Sequence, residues 1–461
     1  MKSLLSFTAD RAQRYVESLA ERRVAPSADA VNQLSRFDVP LQDHSIDPRD
    51  VIGELDDGVA PTTMAMAGPR FFGFVIGGSL PAALAADWLV SAWDQNTGLY
   101  NSTPGSSHIE QVALRWLLDV LRLPAESAGA FVTGTTVAHI TALAAARHAV
   151  LKKVGWNVEA DGLFGAPPIT VVVSDEAHPT LLKALGVVGL GRKRIIRVPT
   201  DDQGRMRVDA LPRLNGPAIV CLQVGNVNTG ASDPVSPICD YAHAGGAWVH
   251  VDGAFGLWAR VAPSRAHLAD GVERADSWAT DGHKWLNVPY DSGIAVVRDV
   301  EALRASMAIT AEYLPTATDR RNPSDYTPEL SRRARGIPVW AAMRSLGRSG
   351  LTELVERNCN QARRFAAALT DAGFEVLNDV VLNQVLVSFG EAEDTKHVIA
   401  AIQADGTMWA GETVWQGRTA MRISVSSWMT TDEDVERSIE AICRLTGPMP
   451  RVPAKLAARR A

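Results

Sequence analysis

Ala247-Trp248-Val249-His250-Val251-Asp252-Gly253-Ala254-Phe255-Gly256 is a short apolar run that ends on an acid and breaks at once into small residues. A second stretch has the same build: Ala275-Asp276-Ser277-Trp278-Ala279-Thr280-Asp281-Gly282-His283-Lys284-Trp285. Apolar runs of this length, bounded by turn residues, read as strands buried on both faces. Working outward, seven such runs lie at 129–133, 169–174, 194–198, 218–224, 247–251, 277–280 and 293–297. Helical spacing fills several gaps between them, notably 138–152 and 179–188, and precedes them at 80–93 and 108–120. Strands that alternate with helices predict an α/β fold around a mostly parallel, seven-stranded sheet.

The remainder of the chain is organised around that sheet. Residues 1–65 read as a helical and then extended N-terminal segment, and 66–335 as a large domain. Regularity breaks at 301–335, where prolines and charges predict a long functional loop. Residues 336–447 alternate helix and strand again and form a smaller α+β domain, and 448–461 is a basic tail. Of the 461 residues 46% are hydrophobic and 21% charged, with a net charge of −6, which gives no general attraction for nucleic acid or an anionic membrane. No apolar run is long enough to span a bilayer, and the N-terminus lacks the pattern of a secretory signal. The four cysteines, Cys221, Cys239, Cys359 and Cys443, form no CxxC pair, so no metal site is expected and a reducing cytoplasm is.

In an open α/β sheet, ligands bind outside the carboxyl ends of the strands. Asp252 and Lys284 both stand at such ends, 32 residues apart, which suits one strand-helix-strand step. A lysine and a carboxylate facing one crevice are what pyridoxal 5′-phosphate (PLP) requires. The amine holds the cofactor as an imine, and the acid keeps the pyridine nitrogen protonated so that the ring can absorb electrons from a bond breaking at Cα. Singly, each residue has an ordinary reading as a loop cap or a surface lysine; their combination with His283, Trp285 and Gly253-Ala254 does not. Phe131-Val132-Thr133-Gly134-Thr135-Thr136 runs strand, turn and helix, and backbone N–H groups with hydroxyls at a helix N-terminus suit a phosphate. An ordinary helix cap explains that turn equally well. No GxGxxG follows the first strand, which disfavours a nicotinamide enzyme.

The His-Val-Asp-Gly-Ala-Phe and Asp-Gly-His-Lys-Trp segments resemble those of the group II PLP-dependent amino-acid decarboxylases, which include aromatic-amino-acid, glutamate and diaminobutyrate decarboxylases. The resemblance covers roughly residues 68–430 and implies the PLP-dependent transferase fold (fold type I). It also implies decarboxylation of an L-amino acid to the amine and CO2, and a homodimer with the active site at its interface and the N-terminal segment packed on the partner. By resemblance Lys284 binds PLP, Asp252 faces the ring nitrogen, and His178 stacks on the ring and assists proton transfer. Gly134, Thr135 and Thr136 cradle the phosphate, with His283 beside it and Ala254 near the ring. Val227 replaces a threonine of relatives, leaving Asn226 or Asn228 to take over its contact, and Asn228 is the one carried into the site. Asp281 replaces a residue that donates to phosphate, so it is expected to point elsewhere or to pair with an arginine. Tyr326, or failing it Tyr313, is the loop tyrosine that returns a proton to Cα. Phe72 and Phe74 of the Phe71–Phe74 run, with Thr103, are expected to line the substrate pocket, although core packing also accounts for the phenylalanines. Arg422 is expected to be structural. Two alternatives stay open on the sequence: another PLP reaction such as transamination or oxidative deamination, and a catalytically idle homologue that serves as a binding partner.

Overall fold

The computed structural model describes residues 1–309 and 320–446. All seven apolar runs are strands: β1 (Ala128–Val132), β2 (Thr170–Ser174), β3 (Ile196–Val198), β4 (Ala218–Gln223), β5 (Trp248–Asp252), β6 (Ser277–Asp281) and β7 (Gly293–Val297). Their order across the sheet is β1-β7-β6-β5-β4-β2-β3. Only β7 runs antiparallel to its neighbours; the other pairings are parallel. Each of β1, β4, β5, β6 and β7 is buried along its whole length, which explains why none shows polar alternation.

Helix Thr135–Lys152 covers one face of this sheet. Its wall of small residues, Ala138, Ala142, Ala145 and Ala146, lets it lie close to the strands. Helix Pro104–Val120 and the long helix Gly336–Asp371, which is broken at Gly347 (φ +61°), pack together on the other side. The 36-residue helix then leads to a smaller antiparallel sheet, β8 (Glu375–Val376), β9 (Gln384–Ser388), β10 (Gly411–Trp415) and β11 (Arg418–Ser424), in the order β10-β11-β9-β8.

Two expectations are corrected. The β5–β6 connection is not a helical crossover: it consists of three short 3-10 turns, Gly256–Val261, Ala266–Ala269 and Val272–Arg274. Pro263 and the glycines at 253, 256 and 271 leave too few consecutive helix formers for an α-helix. The stretch before residue 65 contains a full helix, Pro48–Val59, started by Asp47, which accepts from the Arg49 N–H at 2.8 Å. Its Asp- and Pro-rich beginning disguised an N-cap as a loop. Among the described residues no helix is long and apolar enough to cross a membrane, and no cluster of side chains is arranged to hold a metal ion.

Candidate active site

β5 and β6 end side by side, and their last residues are tied together. The Ala254 N–H donates to Asp252 Oδ1 at 3.2 Å, and the Ala254 carbonyl accepts from the Asp281 N–H at 3.0 Å. This stitch brings the two acids and the lysine into one crevice, with Lys284 Nζ 3.2 Å from Asp281 Oδ2 and 6.0 Å from the centre of the Phe255 ring. The irregular segment 76–80 passes directly behind. A Cβ at Gly77 would stand 1.9 Å from the Lys284 carbonyl oxygen, so that approach requires glycine. Asn287, fully buried, locks the loop: its Oδ1 accepts from the Gly78 and Trp428 N–H groups, and its Nδ2 donates to the Trp285 and Ser426 carbonyls. The lysine loop is thereby bolted to the smaller domain.

Thr135–Lys152 begins at the open end of β1. Gly134, at its N-cap, offers no side chain to cap it, and Thr135 Oγ1 is buried without a partner among the described residues. Thr136 is half-buried on the same turn. Asp281 does not point elsewhere, nor does it pair with an arginine. Its Oδ1 accepts from the Thr135 N–H at 2.7 Å, so its carboxylate sits at the positive end of the helix while also contacting Lys284. His283 donates through Nδ1 to the Ser292 carbonyl at 2.8 Å and stacks on Tyr290 at 4.1 Å. Burial holds its imidazole below the ordinary histidine range.

Across the crevice, His178 caps helix Pro179–Val187: its Nδ1 accepts from the Thr180 N–H, and the Thr180 hydroxyl lies 2.7 Å from the same atom. Nδ1 is therefore an acceptor and Nε2 carries the proton. Burial lowers its pKa; Asp252 opposes that shift, while Lys284, His139 and Arg422 add to it. Asp252 is buried among the strands. Burial pushes its carboxyl up, but His139, His178 and Lys284 together outweigh that, and it lies below the usual carboxylate range. Asn228 Oδ1 accepts from the Thr413 hydroxyl at 2.8 Å and stands 3.5 Å from Arg422 Nη1. Arg422 reaches from β11 toward the crevice, and no carboxylate pairs with it among the described residues.

Other expected residues are not brought to this cluster. Tyr326 lies in the 3-10 turn Pro323–Tyr326, packed against Ala130, Val132 and Ala295, with the Arg321 guanidinium 3.7 Å above its ring. Tyr313 lies outside the described residues. Phe72 is enclosed in the smaller domain's core, edge-on to Phe365 at 5.2 Å. Phe74 is exposed and stacks on Trp409 at 5.4 Å. Thr103 stands at the N-cap position of helix Pro104–Val120, without a side-chain capping bond, and borders a separate cavity with Trp93, Gln95 and Ile337. Asn226 is spent inside its own turn, accepting from the Asn228 and Thr229 N–H groups. Sequence reading missed His139, Asn287 and the turn of Arg422 toward the site. Only His139 left a trace, as an imidazole amid the apolar positions of its helix.

Residues 31–390 match the family model described as the pyridoxal-dependent decarboxylase conserved domain. The chain belongs to the pyridoxal-dependent decarboxylase family. The decarboxylase is 30% identical to tryptophan decarboxylase 1 of Oryza sativa subsp. japonica, over 86% of its own chain and 84% of that protein. It is 26% identical to an aromatic-L-amino-acid decarboxylase of Bacillus atrophaeus, over 91% and 90%. The solved Oryza sativa TDC with PLP and tryptamine superposes with a TM-score of 0.89 at 27% identity, covering 96% of this chain and 97% of that one. The decarboxylase is a PLP-dependent carboxy-lyase acting on an L-amino acid, with fold type I architecture. Its crevice fits the cofactor: an uncapped helix start with an orphaned buried hydroxyl at Thr135, a lysine at the mouth and an ionised buried carboxylate at the floor.

Proposed function

We propose that this decarboxylase acts on an aromatic L-amino acid and releases CO2 and the corresponding arylalkylamine. The observation that carries the reading is the convergence of Lys284, Asp252 and His178 on one crevice, in a chain similar along most of its length to decarboxylases of tryptophan and other aromatic amino acids. PLP, when bound, supplies an electron sink for the bond that breaks at Cα. Lys284 holds the cofactor, Asp252 keeps a proton on the ring nitrogen, and Gly134, Thr135, Thr136 and His283 surround the phosphate. Ala254 and Asn228 complete the wall beside the ring. His178 presents Nε2–H to the crevice and can return a proton at Cα; Tyr326 would share that task only if its loop moved toward Lys284. Arg422, a half-buried cation without an acidic partner, suits the substrate's carboxylate, and the lack of a second such cation among the residues described around the crevice favours an uncharged side chain.

The working unit in this reading is a homodimer. Leu5, Val16, Leu55, Trp88, Leu89 and Trp93 expose apolar surface on the N-terminal helices and on helix Pro81–Trp93, where a second copy would cover it and bring Phe74 and Thr103 toward a shared pocket. Four unpaired cysteines fit a reducing cytoplasm. The test is CO2 release from each of the common amino acids and 2,4-diaminobutyrate by PLP-loaded protein whose mass is read by light scattering. The expected result is amine from tryptophan, tyrosine or phenylalanine well above all others, made by a two-chain particle. Keto acid or aldehyde with ammonia, or preference for glutamate, overturns the reading.

A further inference from the structure

Residues 248, 250 and 252 alternate along β5 and therefore share one face, the face covered by helix Thr135–Lys152. On it lies a file of buried polar atoms that leads to Asp252. Trp248 Nε1 donates to Ser277 Oγ at 2.8 Å. Ser277 Oγ is 2.9 Å from His250 Nδ1. His250 Nε2 is 2.9 Å from His139 Nδ1. His139 Nε2, which makes no hydrogen bond of good geometry among the described residues, faces Asp252 Oδ2 at 3.4 Å. His139, His250 and Ser277 are fully buried.

The two ends of the file fix its protons. An indole N–H can only donate and a carboxylate can only accept. With both histidines neutral, only one arrangement satisfies each link: Trp248 to Ser277, Ser277 to His250 Nδ1, His250 Nε2–H to His139 Nδ1, and His139 Nε2–H to Asp252. The reversed order would set the bare Nε2 of His139 against an ionised carboxylate in a sealed site, or would require a buried imidazolium there. Burial supports the neutral chain by pushing the His250 pKa down to about 3.

We propose that His139 is a positioning residue for Asp252, its Nε2–H held toward the carboxylate by a one-way hydrogen-bond chain through His250 and Ser277 to Trp248. Buried alone, Asp252 would favour its neutral form and could not hold a proton on the cofactor's ring nitrogen. The chain offsets that tendency at Oδ2, while Oδ1 accepts from the Ala254 N–H. The other ionisable groups around it are His178 from the strand-to-helix turn, Lys284 beyond β6, and Cys221 and Asp233 at β4 and its following turn. Among the basic side chains of the described residues, His139 is the one within 4 Å of its carboxylate oxygens. The proposal rests on the assignment of Asp252 to the pyridine nitrogen.

Two measurements test it. In cofactor-free wild-type protein labelled with 15N-histidine, two-bond 1H–15N correlations should show His139 and His250 as neutral Nε2–H tautomers. Either one found as the Nδ1–H tautomer, or His139 found as imidazolium, overturns the chain. Next, 15N-labelled PLP is bound to wild type, His139→Leu, His139→Gln and His250→Phe. Removing a hydrogen bond to a charged group should weaken PLP binding by about 10- to 100-fold in His139→Leu. The ring nitrogen should lose its proton in that variant. His139→Gln, which keeps an N–H donor, should restore both, and His250→Phe should fall between. A protonated ring nitrogen and wild-type affinity in His139→Leu, or no rescue by glutamine, overturns the proposal. If wild type itself takes up no PLP at Lys284, the cofactor assignment fails, and the tautomers still decide whether the chain exists.

Discussion

Asp281 shows how one residue can be legible in type and misread in direction. The sequence places a carboxylate beside a phosphate cradle, where repulsion argues that it should turn away. In the fold it turns inward because two partners exist there that spacing alone does not reveal: the Thr135 N–H, 146 positions away in the chain, and Lys284 Nζ. Asp252 and Lys284 were readable because their chemistry is specific and their motifs are local. His139 was not, since its function exists only once helix and strand are packed. The position of Asp281 yields a prediction. Its carboxylate stands in for an anion at the helix start, so cofactor-free protein should be stabilised by it and phosphate binding opposed by it. In Asp281→Asn, inorganic phosphate should bind several-fold more tightly by isothermal calorimetry. The unfolding free energy of the cofactor-free protein should fall by about 1 kcal/mol, the scale of a helix-terminus charge with its hydrogen bond. Unchanged phosphate affinity would mean that Asp281 and an anion do not compete.

At the scale of elements, the seven strands were visible because full burial left continuous apolar runs, and the helices between them were visible where their period was unbroken. The segment 301–335 was harder. Read as one long loop, it holds the helix Val300–Met307 and a 3-10 turn, and its Ser331–Arg335 end is pinned by contacts remote in sequence. Arg332 enters the interior between helix Pro104–Val120 and β1. There it pairs with Glu110 at 2.7 Å and donates to the Thr97 and Phe131 carbonyls. Arg332 anchors the returning end of the segment to the strand whose tip carries Gly134. Removing one member of a sealed pair strands the other, so Glu110→Ala should destabilise the protein by about 3–5 kcal/mol in urea titrations. Limited proteolysis should then cut first within 300–335. Replacing both members with apolar residues of similar volume should recover much of the lost stability; failure to recover it would show that Arg332 acts mainly through its carbonyl contacts.

The whole molecule collects several imidazoles into its interior, and that sets how its stability follows pH. His178, His250 and His283 all titrate below the ordinary histidine value of 6.5, in each case chiefly through burial. The unfolded chain therefore binds more protons than the native one once pH drops toward 6.5, and stability must fall with it. His250, held at about 3 chiefly by burial, stays neutral in the native state and loses about 0.8 kcal/mol between pH 7.5 and 6, and His178 and His283 add losses of the same sign. Asp233 has the opposite sign. Burial raises its carboxyl to about 6, so below that pH the native state gains protons there and part of the loss is offset. The histidine effect is thus cleanest above pH 6, before carboxylates contribute. Urea unfolding of cofactor-free protein at pH 7.5, 6.7 and 6.0 should show stability declining throughout, and His250→Phe should reduce the decline by about 0.8 kcal/mol. A flat profile would mean that these imidazoles gain protons inside the fold.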